Sequence, residues 1–98
     1  MDAMTVTDEV VVLPIAVVAS TAADVRARLH RAVDDGTGPL VVDLAAVERL
    51  DVVGLGVLMG AHRRAATRGR ELRVAHPSRR VAVVLHITGL DRVLCPRQ

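Results

Sequence analysis

The run Leu40-Val-Val-Asp-Leu44, followed closely by Leu50-Asp-Val-Val-Gly-Leu-Gly-Val-Leu-Met-Gly60, constrains the fold of this chain more than any other stretch. The first part is nearly continuous in apolar, β-branched residues, the pattern of a strand covered by helices on at least one sheet face. Beyond Asp51 the spacing changes: Leu55, Leu58, Met59, His62 and Ala66 fall on one side of a helix running from about Val53 to Arg68 and ending near Gly69. A strand therefore feeds a helix through a tight turn, and the turn is the candidate working surface. Asp51 is suited to cap that helix, because its carboxylate can accept a bond from an unpaired first-turn amide and carries the charge a helix N-terminus favours. Gly54 and Gly56 add little bulk, and Gly56 and Gly60 lie one turn apart, leaving a flat strip. The strip serves either to pack the helix on its own sheet or to admit the backbone of a partner.

Around this centre the elements alternate. Met4 to Thr7 alternate weakly, and Glu9 to Ala19 form an aliphatic run broken by Pro14, which reads as one or two strands with a bulge or edge at the proline. A hairpin there would turn near Asp8 and Glu9. Ser20 and Thr21 are N-cap candidates for a helix from about Ala22 to Asp34, with Ala22, Val25, Leu29, Ala32 and Val33 as its stripe. Asp24 with Arg28, and Arg31 with Asp35, are spaced for ion pairs. Gly36-Thr-Gly-Pro39 is a loop. Glu71 to Ala75 is a short strand, and Ser78 caps a third helix that turns Val81, Val84, Leu85 and Thr88 inward and stops at Gly89, where Leu90 can fold back on Leu85. Arg92 to Cys95 is expected as an edge strand. The fold class is thus α/β: residues 1–98 as one small domain, with a mixed central sheet of four to five strands and about three helices packed on it.

Composition narrows the function. With no Phe, Tyr or Trp among 98 residues, the core must be built from Val, Leu, Ile, Ala and Met. The longest apolar run, Val10 to Ala19, is far short of the roughly 20 residues of a membrane-spanning helix. The N-terminus lacks the positive start and apolar segment of a secretory signal, so a cytoplasmic protein is expected, in keeping with a lone cysteine, Cys95. A pI of 9.9 overstates the basicity of a chain whose net charge is only +2. The cluster Arg63, Arg64, Arg68, Arg70 and Arg73 contains Glu71 and no aromatic residue for stacking on bases; it reads as a solvated helix face, without nucleic-acid binding. Asp43 and Asp51 have no third ligand or nucleophile at informative spacing, and His30, His62, His76 and His86 show no zinc spacing. Gly54-Leu-Gly56 alone is no dinucleotide fingerprint. No enzyme, metal or cofactor is expected.

Leu40-Val-Val-Asp-Leu-Ala-Ala-Val47, Leu50 to Leu58, Ala61-His-Arg-Arg-Ala65 and Leu85-His-Ile-Thr-Gly-Leu-Asp-Arg-Val-Leu94 together resemble the bacterial anti-sigma-factor antagonist group of STAS domains, over nearly the whole chain. In that family the turn usually reads Asp-Ser-Ser-Gly or Asp-Ser-Thr-Gly, and the hydroxyl residue before the glycine accepts phosphate from a serine kinase that is also the anti-sigma factor. Val52 and Val53 occupy those positions here, and a valine has no oxygen to phosphorylate. A second departure lies upstream, where the family's usual Gly-Glu-Leu-Asp aligns with Ile15-Ala-Val-Val18.

The resemblance implies a regulator that binds a serine-kinase-type anti-sigma factor constitutively, through Asp51, Val52, Val53, Gly54, Leu55, Gly56 and Gly60, with Val17, Val18 and Thr21 alongside. Two alternatives stand beside it: a degenerate domain that self-associates, as a homodimer or as a subunit of a larger assembly, and a lipid- or small-molecule-handling STAS domain. The orientation of Val52 and Val53, outward or into the core, is left open by the sequence. Regulation, if any, would come from expression, from the partner, or from another hydroxyl such as Ser20, Thr21 or Ser78.

Overall fold

The computed structural model describes residues 9–94. Its elements follow in the order β1 (Glu9–Val12), β2 (Ala16–Val17), α1 (Ala22–Asp35), β3 (Leu40–Asp43), β4 (Arg49–Leu50), α2 (Val52–Thr67), β5 (Leu72–Ala75), α3 (Arg79–Ile87) and α4 (Asp91–Leu94). The three longer strands form a sheet in the order β1-β3-β5, and β2 pairs with β4 in a separate two-stranded ladder. Every pairing among these residues is parallel. The hairpin expected near Asp8 and Glu9 would need residues 4–7, which lie outside the described residues.

The expected mixed central sheet of four to five strands is corrected: among the described residues the central sheet has three strands, two more form a separate ladder, and both are parallel because helices make the crossovers. Pro14 explains the division. It has no N–H for a ladder, so the aliphatic run is cut there: the first part pairs with β3, and the second steps across to β4. Parallel partners need a crossover, and the helices supply it, with α1 between β2 and β3 and α2 between β4 and β5.

The alternation along the strands fixes which side is covered. Leu40 and Val42 of β3 stand beside Leu72 and Val74 of β5 and are all buried, whereas Val10 and Val12 of β1 are exposed on the opposite pleat. The buried set joins Val25, Leu29 and Val33 of α1 and Val57, Leu58, Ala61 and Ala65 of α2 in one core of aliphatic side chains. α1 and α2 pack against each other.

Four further expectations are corrected. Residues Asp91–Leu94 form a helical turn, not an edge strand; Leu94 seats in the core, and its amide donates to the Leu90 carbonyl at 2.8 Å. Arg28 does not pair with Asp24 but donates to the Val12 carbonyl at 2.9 Å. Arg31 and Asp35 form no ion pair among the described residues.

The basic cluster is likewise no uniform solvated face. Arg64 and Arg68 both hold Asp34, the former through two parallel hydrogen bonds of 2.8 and 2.9 Å, and so clamp α2 to the end of α1. Arg70 is 6% exposed. Its guanidinium donates to the carbonyls of Ala32, Val33 and Gly38, each at 2.8 Å, and pairs with Glu9. These are the last carbonyls of α1 and the loop beyond, groups a helix end leaves without partners of its own. Gly69, at φ 69°, turns the chain so that Arg70 can enter: the Gly69 amide donates to the Ala66 carbonyl and the Arg70 amide to the Ala65 carbonyl, a Schellman closure of α2.

Candidate partner-binding surface

The surface is built around Asp51. β4 ends at Leu50, and the extended backbone of Asp51 (φ −107°, ψ −174°) turns its carboxylate over the start of α2. One oxygen accepts from the Gly54 amide at 2.8 Å, the capping bond expected from sequence, and the other accepts from the Ala19 amide at 3.0 Å. A single side chain thus joins the first turn of α2 to the loop after β2. The Gly54 bond, helped by that of Ala19 and opposed by partial desolvation, holds the Asp51 carboxyl below the usual carboxylate range.

The loop after β2 is fixed by a second device. Thr21 precedes α1 but makes no capping bond with its side chain, contrary to expectation. Its hydroxyl turns back instead, accepting from the Val18 amide at 3.0 Å and lying 2.9 Å from the Ala16 carbonyl, to which it donates. A threonine can close a turn on itself or cap the following helix, and here the local turn wins.

The expected site residues separate into two groups. Val17, Gly54 and Leu55 lie inside: Val17 is fully buried and Leu55 is 7% exposed, so both are core residues and not part of an outer surface. Gly54 abuts the β2 backbone so closely that an added Cβ would stand 2.0 Å from the Val17 carbonyl oxygen. Outside lie Val52, 78% exposed, and Val53, 40% exposed, followed along the helix by Gly56 and Gly60. A Cβ on either of these two glycines would meet nothing within 4 Å. The flat strip is therefore not used for packing within the domain. Val18 is half-buried beside the turn, and Thr21 is half-buried with its hydroxyl engaged.

Sequence reasoning did not find the neighbouring groove of about 320 Å³, whose lining includes Val18, Leu50, Asp51, Arg80 and Val84. β4 is two residues long, too short to announce itself, and the apolar spacing of α3 points first to its inward face. The legible signal is the outward spacing of Arg80, Val83 and Ile87. No three His, Cys, Asp or Glu side chains gather as metal ligands among the described residues, and no helix there is long and apolar enough to cross a membrane.

The family model described as "Mlab, STAS domain" matches residues 3–96. The chain belongs to the STAS domain family. A search of curated proteins returned no match. Solved structures share the STAS fold at low identity. A protein provisionally described as an anti-sigma factor antagonist from Thermotoga maritima is 24% identical at a TM-score of 0.76, with 92% of this chain and 80% of that one covered. The anti-sigma factor antagonist SpoIIAA in its unphosphorylated form is 23% identical at 0.72, covering 91% and 80%. A sulfate transporter family protein from Wolinella succinogenes is 20% identical at 0.70, covering 89% and 70%. This STAS domain is thus similar in fold to proteins of two different systems, and its own surface has to indicate what it binds.

Proposed function

We propose that this STAS domain is a protein-docking regulator of the anti-sigma-factor antagonist type, whose docking face stays in its binding state because valines occupy the position of the usual phosphate acceptor. The observation that carries the reading is the exposure of Val52 and Val53 on the first turn of α2, beside the bare strip of Gly56 and Gly60. Apolar side chains held outward on a capped helix contribute to stability chiefly when another surface covers them, and fully burying a valine contributes about 1.5–3 kcal/mol. Phosphorylation of a hydroxyl here would add about −1.5 to −2 charges and would break an apolar contact by repulsion and desolvation. Neither valine can take that charge.

The experiment mixes the protein with serine-kinase anti-sigma factors and ATP. The expected result is a stable complex with no phosphate on the turn, lost in Val53→Asp, together with phosphate incorporation in Val53→Ser. Phosphate transfer to Ser20 or Thr21 of the native chain, followed by release, overturns the unswitched reading. A second reading, a self-associating or structural subunit, is favoured by the same exposed valines, since a permanent interface is more apolar than a transient one. Sedimentation across a concentration series separates the two: a stable homodimer that Val52→Asp dissociates supports the second.

A further inference from the structure

The exposed apolar surface does not end at α2. Val52 follows Asp51, which lines the groove of about 320 Å³, and the far wall of that groove is α3, through Arg80 and Val84. Along α3, Val83 and Ile87 stand one and two turns beyond Arg80 and extend the same side of the helix; they are 50% and 75% exposed. Half-buried Val18 and Val84 thus line the groove itself, and exposed Val52 and Ile87 adjoin its two walls, Val52 next to Asp51 and Ile87 two turns along α3 from Arg80. Isolated exposed aliphatic residues are ordinary, whereas several of them around an apolar cleft mark a docking site.

Charge indicates what kind of segment fits. Arg49 and Arg80 line the groove, and Arg79 lies with Arg80, Ser78 and Glu48 around the hollow next to it. Among the described residues none of these three guanidinium groups pairs with a carboxylate, although Arg64 and Arg68 share Asp34 and Arg73 is near Glu71. Of the two acids at the groove, Asp51 is ionised but turned onto two backbone amides, so Asp51 and Glu48 together leave the three arginines in excess by one charge. Unpaired like charges around an apolar cleft repel one another and attract the opposite sign.

We propose that this groove receives an amphipathic segment of a partner protein, with apolar side chains in the cleft and Asp or Glu along the flank that faces Arg49, Arg79 and Arg80. The inference rests on the protein-docking reading above; it extends the interface from α2 to α3 and states the chemistry of what docks.

The chain contains no Phe, Tyr or Trp, so one tryptophan on an added peptide supplies nearly all the fluorescence. The probe is a helical peptide of about 16 residues, long enough to hold a turn structure when docked, with Leu and one Trp at helical spacing and Glu along one flank; its twin carries Lys for Glu. The Glu peptide is expected to show a saturable blue shift and to bind about tenfold tighter than its twin at low salt, as two or three exposed ion pairs allow. Arg49→Glu with Arg80→Glu reverses the preference, and Ile87→Asp weakens both peptides. Equal affinity for the two peptides, no saturable binding, or a preference unchanged by the double arginine variant overturns the proposal. So does a homodimer that fills the groove and must dissociate before the peptide binds.

The capture experiment with anti-sigma kinases separates the two readings. Capture lost in Val53→Asp but kept in the double arginine variant rejects the groove and leaves docking at α2 standing. Charge-selective peptide binding with no kinase captured keeps the groove and rejects that partner.

Discussion

At the scale of single residues, Gly54 and Gly56 show how two glycines of one helix serve opposite ends. Gly54 lets α2 touch the β2 backbone, and the obstacle a Cβ would meet is a carbonyl, which cannot swing aside as a side-chain tip can. Gly54→Ala is expected to destabilise the domain by about 3 kcal/mol, the upper part of the usual range for overpacking. Gly56 faces open space. Gly56→Ala is expected to stabilise the free domain by about 0.8–1 kcal/mol through helix propensity alone, while weakening capture of a partner whose backbone uses the gap. Paired denaturant melts and pull-downs of the two variants check both signs.

Asp51 has an acid signature. Its folded-state pKa is depressed below the unfolded value near 3.9, so its contribution is complete above that value and is lost as pH falls through the folded value. Asp51→Asn should lower the thermal midpoint at pH 7 and flatten the loss of stability below about pH 4. Thermal melts by circular dichroism from pH 3 to 7 measure it. A parallel decline in variant and native chain counts against the role.

At the scale of elements, the end of α1 depends on a residue far from it in sequence. Gly36 follows α1 in an extended conformation and does not close it; Arg70 does, across 37 residues from Val33. Arg70→Met keeps much of the stem but leaves the Ala32, Val33 and Gly38 carbonyls without a donor, and a cost of about 3 kcal/mol is expected from orphaning buried acceptors of a charged donor. Arg70→Lys should recover only a part, because an ammonium lacks the planar fork that reaches several carbonyls at once. Urea denaturation ranks the three chains. Hydrogen exchange should also show the last turn of α1 opening first in the methionine variant.

At the scale of the whole molecule, folding and docking draw on different side chains. Val52 and Val53 lie outside the core, at a helix start that tolerates negative charge. Val52→Asp and Val53→Asp are therefore expected to shift stability by no more than about 0.5 kcal/mol while removing partner binding; a large drop in the melt would place the valines among the folding residues instead.

The same division governs how far the sequence could be read. Caps at Asp51 and Ser78 were legible because both act within three residues, and so were the helical stripes and the three long strands. Features set by what the chain meets at a distance were not. By its sequence Arg70 resembles one more surface arginine, Thr21 a cap and Val17 the equal of Val18, and the two residues of β4 give no strand pattern at all. Nothing local distinguishes an arginine bound for carbonyls of a helix 37 residues upstream. Nor does an aliphatic run broken by a proline show which of two adjacent valines its register will bury.

The twofold grip of Asp51, one oxygen on Gly54 and the other on Ala19, has a kinetic corollary. The loop after β2 and the first turn of α2 are set at a single spacing before any visitor arrives, so contact finds a finished mould and little freedom is left to lose. Substitutions on this corner should therefore register mainly in how long a complex lasts and scarcely in how quickly it forms.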